Sequence, residues 1–273
     1  MAEGKGKTVA VPGSELSQEP EKVDVRPGSE QIQLPSRGFR YEGRLPDGNV
    51  MVAPMTTREE ALLVSVQGDR MALLNRVLDV CLLTREVPLT EFLSGDRLFL
   101  LLSVRRITYG SSYHVQFPCP TCHGAMALSL EIPKDLSVRA LTAEDEEPFE
   151  VKLPVSGHTL GLRLLRVSDE EAVLRQVSRK APAHAGPNLA YLYTMARYIV
   201  TADGQEVDGT KALALVENLV GKDSLAIRQT IETHDCGPDF MIETTCGLCS
   251  TQIREVLPLT VEFFRPKPES SYR

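Results

Sequence analysis

The sequence predicts an α+β protein, with helical segments around a small antiparallel β unit that is closed by a discontinuous four-cysteine site. Two Cys-x-x-Cys sequences, Cys119 to Cys122 and Cys246 to Cys249, are the first observation. The second is the alternation of apolar residues on either side of each pair. Tyr113, Val115 and Phe117 precede the first pair and Met126, Leu128 and Leu130 follow it, while Phe240 and Ile242 precede the second and Ile253 and Val256 follow. Period-two alternation is that of a half-buried strand, so each pair sits in the turn of a hairpin, with Pro120, Gly124 and Gly247 easing the bend. The third observation is a set of apolar stripes at helical spacing elsewhere in the chain.

Two such pairs supply four thiolates, Cys119, Cys122, Cys246 and Cys249, the full tetrahedral complement of a structural Zn2+ ion, with no open position for a reacting water. About 120 residues separate Cys122 from Cys246, where an ordinary two-knuckle site has about 15 to 20. Loop closure grows only as the logarithm of length, so a tenfold longer segment costs about 2 kcal/mol. Structural zinc in small peptides contributes about 10 to 16 kcal/mol at neutral pH. A zinc-ribbon-like clamp joining distant parts of one domain is therefore affordable, and zinc is preferred to iron. The competing readings are two disulfides, two unrelated turns, or a thioredoxin-like redox pair. No apolar stretch follows a basic amino terminus, disulfides are rare in a reducing cytosol, and neither pair opens a helix in a βαβ pattern. His123 offers an alternative ligand beside Cys122. Cys81, on an apolar helical face, and Cys236 read as packing thiols.

Residues 1–33 are rich in Gly, Pro, Ser, Glu and Lys with few large apolar side chains. Such a stretch buries too little surface to offset its ordering entropy, and is expected to be a flexible arm that orders on a neighbouring subunit. Gly4-Lys5-Gly6-Lys7-Thr8 mimics the end of a phosphate-binding loop, but no strand precedes it and the first glycine of that motif would fall on Met1. Residues 34–265 read as a single domain, carrying knuckles at 110–132 and 236–264 that meet in space, and 266–273 as a tail.

Within that domain, 41–44 and 50–53 read as a small hairpin about the turn Leu45-Pro46-Asp47-Gly48-Asn49. Thr56 and Thr57, followed by Glu59 and Glu60, form a capping box that starts a helix at Arg58. A second helix is expected over 69–83, where Met71, Leu74, Val77, Leu78 and Cys81 share a face, and a third over 95–107. From 128 to 165 the chain is strand-like, broken by Pro133, Pro148 and Pro154 and by the acidic run Glu144-Asp145-Glu146-Glu147, read as a solvated loop. Ser168 with Glu171 caps a helix to about Arg179, and Asn188 starts another that turns Leu192, Met195, Ala196 and Ile199 inward. Asp203-Gly204 and Asp208-Gly209 are turn pairs around an edge hairpin at Glu206. Helices follow over 210–220 and 224–234, and a closing strand over 255–264.

The 273 residues carry 42% apolar side chains and a formal charge of −7, enough to build a core and unfavourable to non-specific attraction by phosphate backbones. No apolar run approaches the length of a membrane span. From 110 to 131 and from 229 to 253 there is no Lys or Arg, so neither knuckle carries the cations that would grip nucleic acid. The five histidines, His114, His123, His158, His184 and His234, lack zinc-hydrolase spacing, and no Gly-x-Ser-x-Gly elbow or dinucleotide fingerprint occurs. His234, Asp235 and Cys236 could be drawn as a thiol–imidazole pair, but neighbours at a helix end point apart. The residues themselves favour a non-enzymatic protein that binds other proteins. A zinc-ribbon adaptor or transcription-related module is the alternative, and self-association is left open.

An ordered string of short segments resembles a known family. It runs from Leu34-Pro35-Ser36-Arg37-Gly38 through Met55-Thr56-Thr57-Arg58-Glu59-Glu60 and Arg105-Arg106-Ile107-Thr108-Tyr109-Gly110 to Cys119-Pro120-Thr121-Cys122. It continues over 223–231, Gly237-Pro238, Cys246-Gly247-Leu248-Cys249 and Phe263-Phe264. Over about 34–265 the chain is similar to the T4-type bacteriophage baseplate proteins, the baseplate hub subunits or hub assembly chaperones. The resemblance implies a non-enzymatic part of a contractile tail or phage-tail-like injection system, acting at the hub during virion assembly. It further implies hub, tube or tape-measure proteins as partners, in the virion tail or the host cytoplasm.

Overall fold

Glu30–Gln33 (β1) pairs antiparallel with Asn49–Val52 (β2), placing Ile32 opposite Val50. The computed structural model describes residues 26–64, 70–180, 188–257 and 261–266, so most of the expected arm, its Gly4–Thr8 segment, His184 and nearly all of the tail lie outside the described residues. The pairing corrects two expectations. Residues 30–33, assigned to the arm, form the first strand, and 41–44 is not the partner of 50–53. Only Ile32 of β1 is buried, so its polar sequence hides a strand whose partner lies beyond a fifteen-residue detour. That detour is a chain of tight turns in which Arg37-Gly38, Glu42-Gly43 and Asp47-Gly48 all take positive φ.

Thr57–Leu63 (α1) starts one residue earlier than expected. Its cap is Thr56, and the Glu59 carboxylate accepts the Thr56 N–H at 2.7 Å. Arg70–Cys81 (α2) buries Leu74, Val77, Leu78 and Cys81, the stripe read from the sequence, and Ser94–Tyr109 (α3) packs against it. The Tyr41 hydroxyl donates to Asp96 at 2.5 Å and accepts the Leu93 N–H at 3.0 Å, while Asp96 also accepts the Ser36 N–H at 2.9 Å. This buried network pins the turn-rich detour to the start of α3. Burial raises the Asp96 carboxyl, against the opposing effect of these donors.

Ser112–Pro118 (β3) and Ala125–Glu131 (β4) form a hairpin whose inner face, Tyr113, Val115, Phe117, Leu128 and Leu130, packs on this first core. Ser137–Arg139 (β5) follows. Phe149–Lys152 (β6) and Thr159–Leu162 (β7) begin a four-stranded antiparallel sheet. Val167–Lys180 (α4) and Leu189–Tyr198 (α5, capped by Asn188) intervene before Ile199–Ala202 (β8) and Gln205–Glu206 (β9) complete it. Ser168 lies inside α4 and not at its cap; the Asp169 carboxylate accepts the Arg166 N–H at 3.0 Å instead. Asp208 caps Gly209–Glu217 (α6), and Gly221–His234 (α7) follows. The sheet with α5, α6 and α7 encloses a second core.

Gly237–Asp239 (β10) pairs with β5, and Met241–Thr245 (β11) with Gln252–Val256 (β12). The expected closing strand is only partly a strand. Val261–Phe264 (α8) is a helical turn, and it delivers Phe263 and Phe264 into the first core. Arg105, 1% exposed, holds that turn through the Phe263 carbonyl at 3.4 Å and also donates to the carbonyls of Gly110 and Ser112. The described part is therefore α+β, as expected.

Candidate metal centre

The two hairpin turns bring Cys119, Cys122, Cys246 and Cys249 together, with their four sulfurs within 4.8 Å of one another. Cys119 and Cys249 are 3.7 Å apart, as are Cys122 and Cys246. A tetrahedron with metal–sulfur bonds of about 2.3 Å has edges of about 3.8 Å, whereas a disulfide requires about 2.05 Å. All six cysteines are free. The donor set and its spacing fit a tetrahedral thiolate-bound ion.

The turns are copies of one another. Cys119 N–H donates to the Gly124 carbonyl and Cys246 N–H to the Thr251 carbonyl, both at 2.9 Å. His123 and Ser250 return bonds to the carbonyls of Cys119 and Cys246, again at 2.9 Å, and take left-handed φ of 57° and 59°. His123 thus serves the turn through its backbone, and among the described residues the cluster consists of the four cysteines. The first cysteine of each turn is buried and the second exposed, so one wall of the site is Phe117, Met126 and Ile253 and the other is solvent. Leu248 closes over Gly124, where a β-carbon would collide with its Cδ1.

Sulfur ionisation is shared unequally. The Thr251 side chain and then its N–H draw the Cys249 thiol down to about 6. The Gly124 N–H favours the Cys122 thiolate, but the other sulfurs, Cys249 first, outweigh it and push Cys122 up to about 12. Four crowded sulfurs cannot all ionise unaided, and a bound cation would remove that obstacle. Cys81, fully buried, is pushed up to about 12 by desolvation, and burial likewise raises Cys236. Both are packing thiols.

Three features were not read from the sequence. Leu248, an isolated apolar residue in a turn, covers the partner turn. Thr251 stands where the first turn has Gly124, a correspondence visible once the two Cys-x-x-Cys-x-x segments are aligned. The third corrects the reading of 144–147 as a solvated loop at one residue, since Glu144 and Glu146 are exposed and Asp145 is not. Asp145 is 6% exposed and accepts from Arg139 at 2.6 Å and the Thr142 N–H at 2.8 Å, with His234 Nδ1 at 3.2 Å. His234 stacks on Phe149 at 4.2 Å. This cluster fastens the loop to the end of α7, just before the strands that carry the second cysteine pair.

Among the described residues no helix is long and apolar enough to cross a membrane. Residues 37–265 match the family model described as T4 bacteriophage base plate protein. No curated protein and no solved structure matches the chain.

Proposed function

We propose, from the premise that the chain belongs to the T4 bacteriophage base plate protein family, that it is a non-enzymatic structural or chaperone-like assembly component of the baseplate hub. In this reading a structural zinc ion on Cys119, Cys122, Cys246 and Cys249 clamps its two cysteine hairpins. The observation that carries the metal assignment is the convergence of four sulfurs within 4.8 Å of one another, two of the pairs at 3.7 Å, from turns of identical hydrogen bonding. Four thiolates complete the coordination of zinc, so the ion fastens and does not activate water. Its contribution is large where local burial is small: among the described residues, the apolar wall packed on the buried sulfurs is Phe117, Met126 and Ile253. Neighbouring hub, tube or tape-measure proteins are the partners, in the tail of a phage or of a related contractile injection system, or in the host cytoplasm during assembly.

A quantitative protein inventory of purified particles, beside the same inventory from a strain lacking this chain, tests the role. Stoichiometric presence identifies a resident subunit. Absence from particles whose hub nevertheless fails to form without the chain identifies a chaperone. Normal particles from the deletion strain would overturn both. Elemental analysis tests the ion: one zinc per chain is expected, with Cys122 and Cys249 becoming reactive to thiol reagents only after chelation. Metal-free native protein would refute the clamp.

A further inference from the structure

We infer that the free edge of β4 is a self-pairing site, through which two copies of this chain join β4 to β4 in antiparallel register about Ala127. The β3–β4 hairpin is closed by bonds at both ends, from Cys119 N–H to the Gly124 carbonyl and from Ile132 N–H to the Ser111 carbonyl. Bonded pairs alternate along an antiparallel ladder, so Met126, Leu128 and Leu130 turn their main-chain groups toward β3. Ala125, Ala127 and Ser129 turn theirs away. Glu131 has the same outward parity, and its N–H is already taken by Asp135 at 2.7 Å. Beyond β4 no strand is paired among the described residues.

An open edge is normally blunted by charge, proline or brevity. The edge strands β6, with Glu150 and Lys152, and β12, with Arg254 and Glu255, follow that rule, and β10 has three residues, one of them Pro238. β4 runs seven residues with no proline and no charge before Glu131. Its outer face presents Ala125, Ala127 and Ser129, small enough for a second backbone to approach, and its inner face leaves Met126, Leu128 and Leu130 only half-buried.

The strand's own sequence, self-complementary about Ala127, selects a second copy as the occupant. Pairing about Ala127 sets Ala125 against Ser129 of the partner subunit and Met126 against Leu128 of the partner subunit, with two main-chain bonds for each outward pair. No residue from Ser112 to Leu130 is charged, so the two-fold brings no like charges together. The contact is isologous and closes on itself.

The test is sedimentation of the full-length, metal-replete chain over a concentration series, for wild type, Ala127→Pro, Ala127→Lys and Ala127→Glu. Ala127→Pro deletes an outward N–H without touching the bonds to β3, and Lys or Glu at this exposed position meets its own image across the two-fold. Wild type is expected to show a monomer–dimer equilibrium, and each variant a dissociation constant raised at least tenfold. An equimolar mixture of the Lys and Glu variants should regain dimer. A wild type that stays monomeric, or a dimer indifferent to these substitutions, overturns the inference, including the case in which another protein's strand occupies the edge. This outcome is independent of the role proposed in the baseplate.

Discussion

Gly95 and Gly237 meet backbone to backbone: a β-carbon on Gly237 would lie 2.7 Å from both the Cα and the carbonyl oxygen of Gly95. A β-carbon on Gly95 would in turn collide with the Cys236 carbonyl. The contact seats β10, and through it the second cysteine hairpin, on the first turn of α3. Gly237→Ala must displace backbone and also strain a φ of 110°. A loss of about 2 kcal/mol or more is expected, read as a lower denaturant midpoint. Unchanged stability would show that the two segments can part freely.

Removing the ion, or any one thiolate, should separate the two hairpins. Cys119→Ser, Cys122→Ser, Cys246→Ser and Cys249→Ser are each expected to lower the zinc content measured by elemental analysis and to lower the thermal midpoint. His123→Ala should retain the metal, because that residue supports its turn through backbone bonds. Equal loss from His123→Ala and Cys122→Ser would point to histidine ligation.

Acid should weaken the fold through Asp145. Burial alone would raise this carboxyl, but the Thr142 N–H, Arg139 and His234 more than reverse it and hold it well below the usual range. A group with a lowered folded pKa stabilises above its unfolded value, about 3.9 for Asp, and that stability is lost as pH falls through the folded value. Asp169 is lowered too, with Arg163 and the Arg166 N–H overcoming its burial. Wild-type unfolding free energy should therefore fall below about pH 4. Asp145→Asn should be less stable by about 2 kcal/mol at neutral pH and show a shallower acid dependence. Parallel pH profiles for the two proteins would refute the assignment.

Arg105 fastens the helical turn α8. Its guanidinium lies 5.5 Å from the Tyr113 ring and 5.7 Å from that of Phe263, besides its three carbonyl bonds. Arg105→Ala leaves those carbonyls unpaired around a cavity, and a loss of about 3 kcal/mol or more follows. Protease should then cut between Leu257 and Arg265 in the variant sooner than in wild type. Equal cleavage would mean that Phe263 and Phe264 alone hold the segment.

Much of this architecture is written in local chemistry. The stripe of α2 and the capping box of α1 declare themselves over a few residues, because helical periodicity and capping are local effects. The same holds for the alternation around each cysteine pair. Residues 30–33 and Asp145 escape a local reading for the opposite reason. One apolar residue in four does not announce a strand, and Asp145 looks solvent-bound until the fold brings His234 from 89 residues away to close the site that Arg139 and Thr142 begin.

Four cysteines in two Cys-x-x-Cys turns and an α+β pattern were fixed by residue type and order, since thiolate chemistry and strand or helix period need no distant partner. Only the tertiary structure decided that the sulfurs converge, that β1 pairs across a detour of turns, that Phe263 and Phe264 enter the core in a helical turn, and that β4 keeps an open edge. Each of these depends on contacts between residues far apart in sequence, set by packing and hydrogen-bond geometry that no local window contains.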